Sequence, residues 1–216
     1  VDGPFENHEP TIRDLESWNW PDPEDPRRYR GLEERAKALR HETDCAIVLN
    51  PDSYCGATAQ HQRGFGNWLK DLYRNPHYVC RMLDIIADLW VGIVHRALDA
   101  VGTNVDVVII LDDLGTQSGP LFSPEIYREL LKPRHARMIA ALKEHGGVKV
   151  LFHSCGAVHQ FVGDLIEIGV DALNPVQVNA NDMDPEQLKK EFGDRLAFWG
   201  GIDTQKVLPN GTAEEV

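Results

Sequence analysis

The chain has 216 residues, of which 22 are Lys or Arg and 34 are Asp or Glu, so its formal net charge is −12. This acidic balance argues against nucleic acid or an anionic membrane as the main partner, because both attract basic surfaces. With 42% apolar and 26% charged residues, the composition is that of a globular protein and excludes a disordered, fibrous or disulfide-dense chain.

The cellular compartment of the protein is predicted from three features of the sequence. No apolar stretch approaches the roughly 20 residues that span a bilayer. No basic and apolar leader with a small-residue end opens the sequence. Four Cys in a chain of this length need no disulfide scaffold, which favours reduced thiols. These features predict a cytoplasmic protein.

The first predicted elements follow an irregular lead-in over residues 1–30, which contains five prolines among acidic residues. Helical spacing occupies residues 31–40. The apolar run 45–49 ends at Asn50-Pro51, which is typical of a buried strand. Residues 51–66 are rich in Gly and polar side chains and are predicted to form a loop.

Helices and strands then alternate to the end of the sequence. A short helix is predicted over 68–73, and a long helix with one apolar face runs from Asn75-Pro76 to about Val101. The later strands are predicted over 105–111, 148–152, 171–174 and 196–199. The helices between them are predicted over 123–145, with a break at Pro133, over 160–168 and over 185–192.

The predicted strands are apolar throughout, which is typical of parallel strands covered by helices on both faces. A closed barrel and an open doubly wound sheet both fit this α/β order. The doubly wound sheet needs a Gly-rich dinucleotide turn after an early strand, but the segment 64–69 lacks the third Gly and follows no strand. Five βα units therefore favour a (β/α)8 TIM barrel over residues 31–216, with the remaining units expected beyond Val216.

Polar residues gather directly after the predicted strands. The segments at these positions are Asn50-Pro51-Asp52, Asp112-Asp113-Leu114-Gly115, His153-Ser154-Cys155-Gly156, Asn174-Pro175-Val176-Gln177 and Gly200-Gly201-Ile202-Asp203. In a parallel barrel they share one face, where the active sites of that fold lie. Strand ends are also polar simply because they meet solvent. Solvent exposure explains one or two such segments, but it explains five of them less easily. The pattern indicates an enzyme or a ligand-binding protein.

His153 and Cys155 form the sharpest candidate site. Two residues apart at a strand end, their side chains project to the same side. Imidazole and thiolate are both good zinc ligands, so one ion could bind both. A catalytic zinc site also needs a third protein ligand and an open fourth position. The alternative is a hydrogen-bonded His beside an inert buried Cys.

Other polar residues near the strand ends have less specific patterns. Asp112 and Asp113 point to opposite faces of an extended chain, so one is expected to enter the site while the other caps a loop amide or pairs with a cation. The alternative is a single structural Asp beside a solvated neighbour. Five residues are candidates to bind a polar substrate or to hold loops: Gln117, Asn174, Gln177, Asp203 and Gln205. Cys55 could reach the site from its loop, whereas Cys45 and Cys80 are predicted to lie in the core. The other His residues have no matched partner spacing and are predicted to be surface or core residues.

The ordered series of these segments resembles the uroporphyrinogen decarboxylase superfamily. The segments that carry the resemblance are 112–117 with 123–127, 152–156, 168–177, and 200–205 with 208–209. In letters, the central ones read Asp-Asp-Leu-Gly-Thr-Gln, Phe-His-Ser-Cys-Gly and Gly-Gly-Ile-Asp-Thr-Gln. The resemblance covers residues 30–216 and implies a (β/α)8 barrel.

The superfamily contains two chemistries. Uroporphyrinogen decarboxylases remove acetate carboxyl groups from a tetrapyrrole without a metal, using an Arg-rich N-terminal motif and a catalytic Asp. No such Arg-rich segment occurs in residues 1–216, and in a decarboxylase it would be expected before Val1. Corrinoid methyltransferases carry a His-x-Cys zinc pair after a strand, which His153 and Cys155 match. The resemblance therefore implies the methyltransferase-like branch, with zinc as cofactor and the third family ligand expected after Val216.

That branch implies transfer of a methyl group between a methylcobamide and a thiol, with the corrinoid as co-substrate and a corrinoid protein as a candidate partner. Its implied catalytic residues are Asp112, Asp113, His153 and Cys155, with one of the two Asp residues orienting His153. The first alternative is tetrapyrrole decarboxylation in porphyrin biosynthesis, for which Arg27, Arg28 and Arg30 would fold over the barrel mouth to meet substrate carboxylates. The second is a non-catalytic corrinoid or tetrapyrrole binder.

Overall fold

The computed structural model describes residues 3–52 and 54–215. Within them, the strands are β1 (Val48–Leu49), β2 (Val107–Leu111), β3 (Lys149–His153), β4 (Ala172–Asn174) and β5 (Ala197–Phe198). The α-helices are α1 (Ile12–Ser17), α2 (Leu32–Glu42), α3 (Gly56–Arg63), α4 (Phe65–Arg74), α5 (Pro76–Val101), α6 (Pro124–Ile126), α7 (Lys132–Glu144), α8 (His159–Glu167), α9 (Pro185–Phe192) and α10 (Val207–Asn210). Short 3-10 turns cover Pro26–Tyr29 and Gly102–Asn104, and a π-helical turn covers Tyr127–Leu131.

The five strands form one parallel sheet in the order β1-β2-β3-β4-β5. Each strand pairs with the next along the chain, so that Leu111 of β2 lies beside His153 of β3, and His153 lies beside Asn174 of β4. A doubly wound sheet reverses its strand order at a switch point. The described sheet has no such reversal, because each strand is added beside the previous one, as in a βα barrel. This arrangement confirms the predicted α/β fold class.

The core lies between this sheet and the helices that connect its strands. Val108 and Ile110 of β2 and Phe152 of β3 are fully buried, as the continuous apolar runs predict. Along α5, the buried residues include Val79, Leu83 and Ile86, which follow helical spacing. The predicted strands and the long helix are therefore present, although β1, β2, β4 and β5 are shorter than predicted and β3 is shifted by one residue.

Two segments contain more helix than the sequence predicted. The lead-in includes α1, whose Thr11 and Asp14 form a reciprocal capping box. The segment 51–66, predicted as a loop, contains α3 and the start of α4. Its helix begins without a local capping side chain, because the first free amides of α3 donate to Asp112, which follows β2 far along the chain.

Two local predictions are wrong. Pro133 does not interrupt its helix: the π-helical turn immediately before α7 widens the backbone, with the Lys132 amide donating to the Tyr127 carbonyl. A wide turn accommodates a proline, which lacks an amide donor and crowds the preceding turn. Cys45 was predicted in the core but is exposed, because β1 includes only the last two residues of that apolar run and has a partner strand on one side.

In the part of the chain that the structure describes, no helix combines enough length with enough apolar character to cross a bilayer.

Candidate metal centre at the strand ends

Three metal-ligating side chains converge where β2 and β3 end. Asp113, His153 and Cys155 each offer one ligand atom, and these atoms all lie within 4.8 Å of one another. The Cys155 sulfur is 3.6 Å from His153 Nε2. The Cys155 backbone amide donates to Asp113 Oδ1 at 2.8 Å, which locks the two loops together. The parallel pairing of neighbouring strands thus brings together an oxygen, a nitrogen and a sulfur donor.

The orientation of His153 is determined by Asn174 at the end of β4. Asn174 Nδ2 donates to the Trp199 carbonyl at 2.9 Å, so its Oδ1 faces His153 Nδ1 at 2.6 Å. An amide oxygen only accepts, so Nδ1 of the imidazole carries the proton and Nε2 presents its lone pair toward Cys155. This is the tautomer that a metal ligand needs. The prediction that Asp112 or Asp113 orients His153 is therefore wrong.

The electrostatics of the three side chains favour a cation. Burial raises the pKa of the Cys155 thiol, and the charge of Asp113 together with its hydrogen bond to the thiol raises it further. A carboxylate and a thiolate this close repel each other, whereas a divalent ion neutralises both. Cys sulfur, His nitrogen and carboxylate oxygen are all zinc ligands, and three protein ligands leave a position open. The residues present fit a catalytic zinc ion.

Asp112 points away from this centre, into the core. It is 1% exposed, and its carboxylate accepts the amides of Gly56 and Ala57 at 2.6 and 2.8 Å. Its third partner is His135 Nε2, at 2.9 Å. As predicted, the two adjacent Asp residues face opposite sides, and the inward one caps a loop amide. The catalytic role of Asp112 remains a prediction.

His135 is a residue whose importance the sequence spacing missed. It is fully buried on α7, and its Nδ1 lies 3.3 Å from the Tyr127 hydroxyl. Its ring also packs edge-on against Phe152 of β3. The available signal was its position on the apolar face of α7, four residues after Leu131 and three before Met138, where a polar side chain needs a buried partner.

The predicted substrate-binding amides connect the loops that surround the centre. Gln177 Oε1 accepts the Gly156 amide at 2.8 Å, and Gln177 Nε2 donates to Gln117 Oε1 at 2.8 Å. Gln205 Nε2 donates to the same Gln117 oxygen at 3.2 Å. Asp203 accepts the side-chain amide of Asn179 and the backbone amide of Gln205. These residues hold one loop to the next, while Gln117 and Gln205 also remain exposed to solvent.

The loops after β2 and β3 touch through glycine backbone. The Ala157 amide donates to the Thr116 carbonyl at 2.8 Å. A Cβ on Gly156 would lie 2.5 Å from the Gly115 carbonyl carbon, closer than real Cβ contacts allow. Gly156 also has a φ of +85°, a conformation that other residues rarely adopt. Gly156 therefore sets the position of the loop that carries Cys155.

Two groups considered from the sequence lie elsewhere. Cys55 is fully buried, and its sulfur faces the Leu83 carbonyl instead of the three donors. Burial raises the pKa of this thiol well above its usual value. Arg27 pairs with Asp25 and Arg28 with the Asp22 carbonyl in an exposed 3-10 turn that packs on the second half of α5. They do not fold over the strand ends, contrary to the decarboxylase expectation.

Comparison with known proteins decides the family. The model of the uroporphyrinogen decarboxylase (URO-D) family matches residues 3–216. The chain belongs to this family. Family members are TIM barrels, so the described sheet is part of such a barrel.

Among solved structures, a methyltransferase from Methanosarcina mazei is similar to this URO-D family chain, with a TM-score of 0.65 and 20% sequence identity. The match covers 92% of this chain and 54% of the methyltransferase, so the chain spans about half the length of that protein. The likeness concerns the fold. No curated protein matches the sequence.

Proposed function

We propose that this URO-D family chain takes part in zinc-dependent transfer of a methyl group between a methylcobamide and a thiol. The observation that carries the proposal is the convergence of Asp113, His153 and Cys155 at the strand ends. Active sites of βα barrels lie on this face. Membership of the family and the methyltransferase fold of the Methanosarcina protein support the same branch.

In this proposal, His153 Nε2, Cys155 Sγ and a carboxylate oxygen of Asp113 would hold the zinc ion. Bound there, zinc would favour the thiolate form of a co-substrate thiol, with the thiol proton released to solvent. The thiolate would take the methyl group as the cobalt–carbon bond of the methylcobamide breaks, with its electron pair left on the cobalt. Asn174 keeps the lone pair of His153 Nε2 available. Asp113 also accepts the backbone amide of Cys155. The same carboxylate therefore positions Cys155 and is itself a proposed metal ligand.

The surrounding polar residues are proposed to form the rim of the substrate site. The exposed amides of Gln117 and Gln205 are assigned to polar groups of the co-substrate, and Gln177 and Asp203 to holding their loops. Asp112 is assigned a positioning role, because all of its contacts are to buried backbone amides and His135. A corrinoid carried by a partner protein, in the reducing cytoplasm that keeps Cys155 free, completes the proposal.

Decarboxylation of a tetrapyrrole receives less support from the geometry. Its substrate carboxylates need Arg partners near a reactive Asp. Arg27 pairs with Asp25 and Arg28 with the Asp22 carbonyl, and the Asp112 carboxylate is enclosed by its own partners. Adding uroporphyrinogen to the protein and finding no coproporphyrinogen is the expected outcome.

Metal analysis tests the proposed site directly. We expect the purified protein to retain about one zinc ion per chain after dialysis, and His153→Ala/Cys155→Ser to retain none, because that variant loses two of three donors. Cys45→Ser is the matched control, since Cys45 is exposed and far along the chain from the three donors. Equal zinc in the double variant and the unaltered protein would overturn the proposal. Methyl transfer from methylcobalamin to 2-mercaptoethanol should be lost together with the zinc.

The role of Asn174 gives a further prediction. Asn174→Ala removes the acceptor that holds the His153 tautomer, and we expect zinc affinity to fall about 10- to 100-fold, the usual effect of losing such a partner. Asn174→Asp retains an acceptor for Nδ1 and should keep most of the affinity. Competition with a chromophoric zinc chelator measures both. Unchanged affinity in Asn174→Ala would show that the hydrogen bond does not contribute to binding.

A further inference from the structure

A second group of metal-ligating side chains lies at the other end of the helices. His95 is on the second half of α5, which leads toward the start of β2, and His145 follows the last residue of α7. Nδ1 of His95 is 2.8 Å from Nε2 of His145, and the ring centroids are 5.1 Å apart. The proposed methyl transfer uses neither residue.

Each of these rings has one nitrogen facing the other ring and one facing a carboxylate. The outer nitrogen of His95, Nε2, is 3.9 Å from Glu144 Oε2. The outer nitrogen of His145, Nδ1, is 3.8 Å from Asp99 Oδ1. Metal-binding histidines in general hold their second ring nitrogen toward a carboxylate, and a side-chain rotation of a few tenths of an ångström would bring each of these carboxylates within hydrogen-bond distance. Here a carboxylate faces the outer nitrogen on both rings of the same pair.

We propose that His95 and His145 form a binding site for a divalent transition metal ion such as Zn²⁺ or Ni²⁺, with water in the remaining positions. In the metal-free pair, one inner nitrogen donates its hydrogen to the other. When both inner nitrogens bind the ion, that hydrogen moves to the outer nitrogen of the same ring, where the negative charge of a carboxylate 3.8–3.9 Å away favours it. Each imidazole keeps one N–H hydrogen, so the step needs no other reactant.

The geometry requires little movement. Zinc–nitrogen bonds of about 2.0–2.1 Å in a tetrahedral site place two ligand nitrogens about 3.3 Å apart. The inner nitrogens at 2.8 Å therefore have to separate by about half an ångström. The His95 and His145 side chains are 34% and 22% exposed, which leaves access for the ion and for water ligands.

A metal ion at this site would connect α5 to the end of α7, two helices that pack against each other. Binding of one ion by both histidines stabilises the folded state, because the ion binds the two side chains when they are close together and not when they are separated in the unfolded chain. The site is therefore expected to be structural, in contrast to the open centre at the strand ends.

The test uses the intact protein carrying His153→Ala/Cys155→Ser, so that the centre at the strand ends does not contribute. Calorimetric titration with NiCl₂ or ZnCl₂ should show about one ion per chain, and adding His145→Gln should weaken binding at least tenfold. His41→Gln is the control, because His41 is an exposed histidine on α2 without a histidine partner in the described contacts. The ion should raise the melting temperature of the background protein and leave that of the His145→Gln protein unchanged.

Binding that is absent, or that is equally strong after His145→Gln, overturns the proposal. If the background variant does not fold, the unaltered protein and its His145→Gln variant are titrated instead. The unaltered protein should then bind two ions per chain and the His145→Gln variant one. The result is independent of the proposed methyl transfer, since a protein without zinc at Cys155 can still bind an ion at His95 and His145.

Discussion

Asp112→Asn is expected to lower the free energy of unfolding by about 3–5 kcal/mol, because hydrogen bonds to a buried carboxylate contribute roughly 1.5–3 kcal/mol each and more than one is lost or weakened. The carboxylate accepts three hydrogen bonds, from the Gly56 and Ala57 amides and from His135, and both of its oxygens are used. A carboxamide presents an NH₂ group on one side, which would face a donor in either orientation. At least one buried donor therefore loses its acceptor.

The adjacent residue is the matched control for this experiment. Asp113 is exposed, and Asn at that position can still accept the Cys155 amide through its oxygen. Asp113→Asn should change the free energy of unfolding by no more than about 0.5 kcal/mol, as surface substitutions do. It should instead weaken zinc binding, because a carboxamide is a poorer ligand than a carboxylate.

Urea denaturation and zinc titration of both variants measure the contrast. Stability should fall in Asp112→Asn, and zinc affinity should fall in Asp113→Asn. If Asp112→Asn were as stable as the unaltered protein, Asp112 would not support α3 and α7 as described, and a direct catalytic role for this residue would regain support.

Gly156→Ala is expected to have the second largest effect, on both stability and metal binding. The left-handed conformation costs a non-glycine residue roughly 1–2 kcal/mol. The new Cβ would also lie 2.5 Å from the Gly115 carbonyl carbon, and relieving such crowding costs roughly a further 1–3 kcal/mol. The loop has to move away from Gly115 and Thr116, which displaces Cys155 from Asp113 and His153. Zinc affinity should fall at least tenfold.

Gly31→Ala separates the two causes. Gly31 has a φ of +74° and no heavy atom within 4 Å of its would-be Cβ, so this variant has the conformational cost without the close contact. It should be destabilised by roughly 1–2 kcal/mol and keep its full zinc affinity. Thermal unfolding and chelator competition on both variants provide the comparison. Equal zinc affinity in Gly156→Ala and Gly31→Ala would mean that the contact between the two loops does not position Cys155.

Local sequence patterns were sufficient for the architecture. Apolar runs such as Val107–Leu111 report strands that are buried on both faces, and helical spacing along α5 reports its buried face. Both patterns arise from the regular repeat of the helix and strand backbone, so they can be read within about ten consecutive residues. The alternation of these elements indicates parallel strands, and parallel strands place their following loops on one side. The position of the candidate site was therefore predictable.

Patterns of this kind do not report partners that are distant in the sequence. The cap of α3 is supplied by Asp112, more than fifty residues later, so the segment around Gly56 resembled a loop. His135 had no visible partner for the same reason. Pro133 was predicted to break its helix because the rule considers the proline alone and not the π-helical turn that precedes it.

By itself, the sequence determined the α/β class and the order of the polar segments after the strands. It also predicted the pairing of His153 with Cys155, because residues two apart in extended backbone project to the same side. Only the tertiary structure decided which Asp joins them, which residue orients His153, and that His95 meets His145. Those contacts join residues 21 to 50 positions apart. They depend on strand register, helix packing and the conformation of glycine loops, and these form only when the whole sheet and its helices assemble.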